Sequence, residues 1–147
     1  MKIYLDFDGT VVEHDYPKMG RCNYGCFEII KKLQDAGHEI ILNTYRSELD
    51  SKSLSDALTM INNRAYMFIK DRGKRDEFNL DPMKSTEKKI HPWPWDLDYY
   101  LSQKIAFIDD TSTGVPLKKA CMANGKMVDW GEVDRQFEQK GFYNKQK

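Results

Sequence analysis

Cysteine and histidine are scarce in this chain of 147 residues, which contains three of each. Cys22 and Cys26 have the spacing C-x₃-C, but Cys121 and the three histidines are scattered along the sequence. No set of these side chains has the spacing of zinc ligands. An odd number of cysteines favours free thiols in a reducing compartment, and we predict a cytoplasmic protein.

The sequence has no excess of charge of either sign, because 23 lysines and arginines balance 23 aspartates and glutamates. This balance indicates no strong global attraction to nucleic acid or to an anionic membrane. No apolar run approaches the roughly 20 residues of a membrane-spanning helix, and no signal-peptide pattern is present. We therefore predict no membrane contact and one globular domain over residues 1–147. The sequence leaves the oligomeric state open.

Short apolar runs alternate with helical patterns along the chain. The apolar runs predict strands at residues 3–7, 40–42, 66–69, 105–108 and 127–128. Apolar residues at helical spacing predict helices at residues 27–36, 54–61, 117–121 and 133–140. Strands without polar alternation, separated by amphipathic helices, are typical of a parallel sheet covered on both faces. We predict an α/β fold, a three-layer doubly wound parallel sheet of about five strands without a large cap.

Residues from about 72 to 103 fit this pattern poorly. They contain a charged run and several lysines, followed by Trp93-Pro94-Trp95. A connection this long is usually functional or has local structure of its own, and we predict a small lid-like insertion. Two roles are open for these tryptophans: they could stack on a nucleobase or sugar, or they could pin a loop over the core.

Polar residues follow three of the predicted strands. Positions 6–10 read Asp-Phe-Asp-Gly-Thr, positions 42–46 read Leu-Asn-Thr-Tyr-Arg, and positions 107–110 read Phe-Ile-Asp-Asp. Ligands of parallel sheets bind outside the carboxyl ends of the strands, where these residues fall. Asp6 and Asp8 leave an extended strand on the same face, and two close carboxylates require a cation or a shared proton. The sequence therefore predicts a site for a hard divalent cation such as Mg²⁺.

Together these three segments resemble the haloacid dehalogenase-like superfamily, and more narrowly its small phosphatases without a large cap. The resemblance extends from about residue 2 to residue 130. It implies a Mg²⁺-dependent phosphomonoester hydrolase in which Asp6 is the nucleophile and forms an aspartyl-phosphate. Asp8 would be the general acid for the leaving alcohol and then the general base for water. The implied Mg²⁺ ligands are Asp6, the backbone carbonyl of Asp8, Asp109 and Asp110.

The resemblance also implies a threonine and a lysine at the phosphate. Thr44 would donate a hydrogen bond to a phosphate oxygen. The lysine would balance the charge of the nucleophile and would lie between the third and fourth strands. Four lysines fall in that interval: Lys84, Lys88, Lys89 and Lys104. Because Lys104 is at the end of its strand opposite to the acids, we predict Lys88 or Lys89.

Further residues near these motifs are candidates for contact with substrate. Gly9 would bring its amide near the bound group, and Thr10 would brace the turn beside it. Arg46 has a planar fork that suits a second anionic group. His14 and Tyr16 lie in a segment that folds back as a flap in this family, and for them we favour a structural role.

Two other functions stay open. A receiver-type signalling domain also gathers acids, a threonine and a lysine on one edge, and Asp71 would be its phosphorylated residue. The order of the motifs along the chain disfavours it. The second alternative is a catalytically silent domain that binds a phosphorylated ligand. For a hydrolase, the substrate classes are a nucleotide, an oligonucleotide end and a sugar phosphate, which the sequence does not rank.

Overall fold

The computed structural model of the protein describes residues 1–70, 82–121 and 125–146. Its strands are β1 (Lys2–Leu5), β2 (Glu39–Leu42), β3 (Lys84–Ser85), β4 (Ile105–Ile108), β5 (Leu117–Lys119) and β6 (Lys126–Val128). Its helices are α1 (Cys26–Asp35), α2 (Arg46–Leu49), α3 (Ser51–Lys70), α4 (Leu97–Gln103) and α5 (Trp130–Gln139).

Four strands form one parallel sheet in the order β3-β2-β1-β4. In the central strand β1, Leu5 pairs with Leu42 on one side and with Ile108 on the other. These three side chains are buried, as expected for a sheet covered on both faces. The predicted α/β class with a parallel sheet, flanking helices and no large cap is confirmed for the described residues. Among the described residues the sheet has four strands, one fewer than the approximately five that the sequence indicates.

Helices cover the sheet through buried apolar side chains. Helix α1 contacts α3 and α5 and buries Phe27, Ile30 and Leu33. Helix α4 contacts β4, and its buried Tyr100 lies with its ring centroid 6.3 Å from that of Phe107. None of the helices among the described residues combines the length and the apolar character that crossing a bilayer requires.

The predicted third strand, residues 66–69, is wrong, because these residues belong to helix α3. An apolar run of four residues does not distinguish a strand from a buried helical segment. Residues 51–70 also contain neither glycine nor proline, so nothing in this stretch stops the helix at the predicted polar end. The third strand of the sheet is instead β3, which is too short and too polar to be recognised in the sequence.

The predicted helix at residues 117–121 is also wrong. Strand β5 pairs antiparallel with β6 in a separate two-stranded sheet, with Leu117 opposite Val128. Gly125 has φ +101°, and its carbonyl accepts a hydrogen bond of 3.1 Å from Ala120 N. A glycine readily adopts this conformation, in which the chain can reverse direction. The backbone N–H and C=O groups of β5 then pair with those of β6, whereas in a helix they would have paired with residues nearby in the sequence. The strand predicted at 127–128 therefore lies in this hairpin and not in the main sheet.

The described part of the segment predicted as a lid-like insertion is built into the fold. Residues 82–103 supply the edge strand β3, helix α4 and the loop between them, whereas residues 72–81 lie outside the described residues. The Trp93 ring centroid is 5.3 Å from that of Phe107, and Trp95 Nε1 donates a hydrogen bond of 2.8 Å to Gln136 Oε1. These contacts favour the interpretation in which the tryptophans pin a loop over the core.

Candidate active site

Polar side chains from separate parts of the sequence meet at the carboxyl edge of the sheet. Asp6 directly follows β1, Asp109 directly follows β4, and Asp110 is the next residue. One carboxylate oxygen from each of the three lies within 4.8 Å of the other two. The predicted convergence of acids from distant segments is therefore present in the structure.

Lys89 lies between two of these acids. Its Nζ is 3.1 Å from Asp6 Oδ1 and 3.1 Å from Asp109 Oδ2, and its side chain is only 4% exposed. Burial alone would lower the pKa of Lys89, but the Asp6 and Asp109 carboxylates outweigh it and raise the pKa above its ordinary value. Lys89 is therefore a charged group that is buried within the acid cluster.

The other candidate lysines lie elsewhere. Lys88 is exposed, and Lys84 forms an ion pair with Glu39 at the edge of the sheet. Lys104 follows helix α4 at the amino end of β4, as the sequence indicated. Of the two lysines that we predicted for the site, Lys89 reaches the acids and Lys88 does not.

Asn43, to which the sequence analysis assigned no role, fixes the loop that carries Lys89. Its Nδ2 donates a hydrogen bond of 2.9 Å to the Ile90 carbonyl, and its Oδ1 accepts one of 2.8 Å from Ile90 N. The side chain is buried at the end of β2. Its position at the end of β2, beside Thr44, is the sequence signal that could have indicated this role.

Asp6 is held by a network that includes Thr10. Thr10 Oγ1 donates a hydrogen bond of 3.1 Å to Asp6 Oδ2 and accepts one of 3.2 Å from Asp110 N. Burial, followed by the charge of Asp109, raises the pKa of Asp6 well above its ordinary value, and Lys89 opposes this shift. Thr10 is fully buried and links Asp6 to Asp110 N, and its contact with substrate stays a prediction.

Asp8 and Arg46 form a bidentate ion pair. Arg46 Nε is 2.8 Å from Asp8 Oδ2, and Arg46 Nη2 is 2.9 Å from Asp8 Oδ1. The guanidinium is 2% exposed and lies over the rings of Phe7 and Tyr16, at 5.1 and 5.0 Å. The hydrogen bonds to Asp8 raise the pKa of Arg46. In this structure Arg46 is paired with Asp8, and its contact with a second anionic group of the substrate stays a prediction.

Asp109 is held through both carboxylate oxygens, since its Oδ2 contacts Lys89, whereas Asp110 is held through one. Asp109 Oδ1 accepts hydrogen bonds from Thr111 N and Oγ1, at 2.9 and 2.7 Å. Asp110 Oδ2 is 2.9 Å from His14 Nε2. The second oxygen of Asp110, Oδ1, is buried and has no hydrogen-bond partner in the part of the chain that the structure describes.

Gly9 lies beside Asp110 and His14, and Thr44 lies at the end of β2. Gly9 has φ +84°, and a Cβ at this position would lie 2.5 Å from Asp110 Oδ2 and from His14 Nε2. Its amide donates to the Val12 carbonyl at 2.7 Å, and the contact of this residue with a bound group stays a prediction. Thr44 is buried at the end of β2, and its Oγ1 accepts from Arg46 N at 3.2 Å. The hydrogen bond from Thr44 to a phosphate oxygen stays a prediction.

The chemistry of the site fits a divalent cation. Its carboxylates belong to Asp6, Asp8, Asp109 and Asp110, and its basic side chains are Lys89 and Arg46. With the four acids ionised and His14 neutral, the site carries two negative charges in excess. Carboxylate oxygens are the ligands that Mg²⁺ prefers, and Asp110 Oδ1 is a buried oxygen of this kind without a hydrogen-bond partner among the described residues. The carboxylate of Asp8 is held by Arg46, and the role of its backbone carbonyl stays a prediction.

Comparison with known proteins gives one informative match. No protein-family profile and no curated protein matches the chain. A solved structure of a conserved protein from Bacteroides thetaiotaomicron is similar to it, with 28% sequence identity and a TM-score of 0.55. The match covers 95% of this chain and 91% of that chain. The similarity therefore supports the α/β fold along nearly the whole chain, and the description of that protein names no activity.

Proposed function

We propose that the protein is a Mg²⁺-dependent phosphomonoester hydrolase of the haloacid dehalogenase type, with Asp6 as its nucleophile. The observation that carries the proposal is the placement of Lys89 between Asp6 and Asp109, with Asp110 beside them. A buried carboxylate attacks phosphorus well only if it is ionised and oriented. Lys89 supplies the opposing charge, and the hydroxyl of Thr10 orients the second oxygen.

The proposed reaction has two steps, in which Asp6 and Asp8 take part. In the first, a bond forms between an Asp6 oxygen and phosphorus while the bond from phosphorus to the leaving oxygen breaks. Asp8 in its protonated form gives that oxygen a proton and becomes a carboxylate. In the second, Asp8 takes a proton from water, which displaces Asp6 from phosphorus and releases inorganic phosphate. Arg46 positions Asp8 through its two hydrogen bonds. A bound Mg²⁺ would neutralise charge on the phosphoryl oxygens, held by Asp6, Asp109 and Asp110.

The class of substrate is a phosphate monoester, and three kinds are proposed. The described residues contain no large cap over the carboxyl edge of the sheet, so large phosphate esters are not excluded by size. Nucleotides, oligonucleotide ends and sugar phosphates are therefore tested side by side.

The receiver-type alternative is less well supported. It requires a third strand that ends just before Asp71, the residue that would be phosphorylated. Residues 66–69 are helical, and Asp71 lies outside the described residues. The silent binding domain differs from the hydrolase only in turnover, which an activity measurement detects.

The test is phosphate release from a panel of nucleotides, oligonucleotide ends, sugar phosphates and p-nitrophenyl phosphate. We expect release from at least one class with Mg²⁺ present, none with EDTA, and none from Asp6→Asn. The matched control is Asp35→Asn, which neutralises an exposed acid at the end of α1 and should keep the parent rate. The proposal fails if the parent protein hydrolyses no member of the panel, or if Asp6→Asn retains the parent rate.

A further inference from the structure

His14 contacts the acid cluster from a different part of the chain. It lies in the loop between β1 and α1, and 96 positions separate it from Asp110 in the sequence. Its Nε2 is 2.9 Å from Asp110 Oδ2. Because a carboxylate oxygen accepts hydrogen bonds, Nε2 is the donor in this contact. The His14 side chain is 53% exposed, so it does not serve the hydrophobic core.

The shape of the backbone at Gly9 makes this contact possible. A side chain at position 9 would overlap both partners, because its Cβ would lie 2.5 Å from His14 Nε2 and 2.5 Å from Asp110 Oδ2. The positive φ of Gly9 also disfavours any other residue there. Three segments are thus arranged so that an imidazole lies directly above Gly9 and against one oxygen of Asp110.

The other groups of Asp110 show what this contact achieves. Its backbone N donates to Thr10 Oγ1, which also binds Asp6. Its Oδ2 is bound by His14, while its Oδ1 is buried without a hydrogen-bond partner among the described residues. The backbone and one carboxylate oxygen are therefore fixed, which leaves the second oxygen for a cation.

We propose that His14 is a positioning residue that holds the Asp110 carboxylate in the orientation in which it binds a divalent cation. The inference rests on the proposed function, because it requires that a cation bind at this cluster. Hydrogen bonds to ligand carboxylates fix the direction of their oxygens, and loss of such a partner typically weakens metal affinity by about 10–100-fold. The imidazole acts through Asp110 and not on the substrate.

The test measures binding of Mn²⁺ to the full chain without substrate, by electron paramagnetic resonance of free Mn²⁺, with Mg²⁺ as competitor. We expect His14→Leu to weaken Mn²⁺ binding by about 10-fold or more. His14→Gln, whose side-chain amide can donate to Asp110, should bind within about 3-fold of the parent. The matched control is His91→Leu, which removes an exposed histidine and should leave affinity unchanged. In phosphate release, His14→Leu should require a higher Mg²⁺ concentration than the parent to reach half of its own maximal rate.

The outcomes separate this inference from the proposed function. If the parent protein binds no Mn²⁺, the metal part of the proposed function fails and the role of His14 fails with it. If the parent binds Mn²⁺ and His14→Leu binds it equally well, only the role of His14 is overturned. Equal weakening in the Leu and Gln variants would also overturn it, because the donated hydrogen bond would not be the cause. Thermal unfolding of each variant checks that its fold is intact.

Discussion

The ammonium group of Lys89 lies 3.1 Å from Oδ1 of Asp6, although 83 positions separate the two residues in the sequence. The contact joins the loop after the edge strand β3 to the end of the central strand β1. The buried positive charge of Lys89 therefore lies beside the carboxylate of Asp6, to which we assign the nucleophilic attack. The site should therefore depend on this lysine more than on any neighbouring one.

Replacement of Lys89 by methionine should lower phosphate release by about 10²–10³-fold, because a fixed donor to the reacting groups is lost. Methionine keeps an unbranched side chain without the charge. The comparison is Lys88→Met, in which the neighbouring exposed lysine loses its charge and activity should stay near that of the parent. Equal losses in the two variants would show that Lys89 has no special role.

Asn43→Ala should misplace Lys89 while leaving the lysine itself intact. The substitution removes both hydrogen bonds between Asn43 and Ile90, the residue next to Lys89. We expect a loss of about 1–3 kcal/mol in the free energy of unfolding, measured in urea, since backbone groups of Ile90 lose their partner. The rate of phosphate release should fall in conditions where the variant is fully folded. An unchanged rate in the folded variant would separate Asn43 from the site.

The pair of Asp8 and Arg46 should show strong coupling in stability. Arg46→Met leaves Asp8 without its counter-ion, and breaking a buried pair in this way typically costs about 3–5 kcal/mol. Asp8→Asn removes the acid, so the second substitution should cost much less in its presence. A double-mutant cycle in urea should give a coupling energy of about 1–3 kcal/mol. Additive effects of the two substitutions would contradict the pairing.

His38 should make the fold less stable at acidic pH. It is buried, its Nε2 donates to the Phe142 carbonyl at 2.7 Å, and burial lowers its pKa below the ordinary value of 6.5. The folded protein therefore binds the proton less readily than the unfolded chain, and stability that is present above pH 6.5 is lost as the pH falls through the lowered pKa.

The measurement is the free energy of unfolding in urea between pH 7.5 and 5. One proton gives a slope of at most about 1.4 kcal/mol per pH unit. His38→Gln keeps an amide donor for Phe142 and should flatten this slope. If parent and variant lose stability in parallel, another group is responsible.

The sequence predicted those strands and helices whose apolar residues follow a clear pattern. Strand β4 is apolar throughout, β1 and β2 each have one charged residue followed by three apolar ones, and helix α1 has a clear apolar stripe. Their polar ends identified Asp6 and Asp109, because parallel strands bring their carboxyl ends to one edge. The acid cluster could therefore be predicted without knowledge of side-chain contacts.

The parts that the sequence did not predict depend on tertiary contacts. Strand β3 has two polar residues and exists through its pairing with β2. The choice between Lys88 and Lys89 depends on the direction of a loop, which Asn43 fixes through hydrogen bonds. The pairing of Arg46 with Asp8 could not be predicted either, because it depends on the rotamer and the burial of Arg46. In the sequence, an arginine at a strand end is equally well suited to bind a substrate.

The central claim is that Asp6 carries the phosphoryl group during turnover, and the most direct measurement is to trap it there. Asp8→Asn is mixed with p-nitrophenyl phosphate and Mg²⁺, quenched in acid and analysed by peptide mass spectrometry. The leaving p-nitrophenolate needs no proton, so the first step should proceed, while hydrolysis slows without the base at position 8. We predict a phosphoryl group on Asp6 that EDTA prevents. Release of phosphate with no phosphoryl group on Asp6, or with one on another residue, would contradict the account.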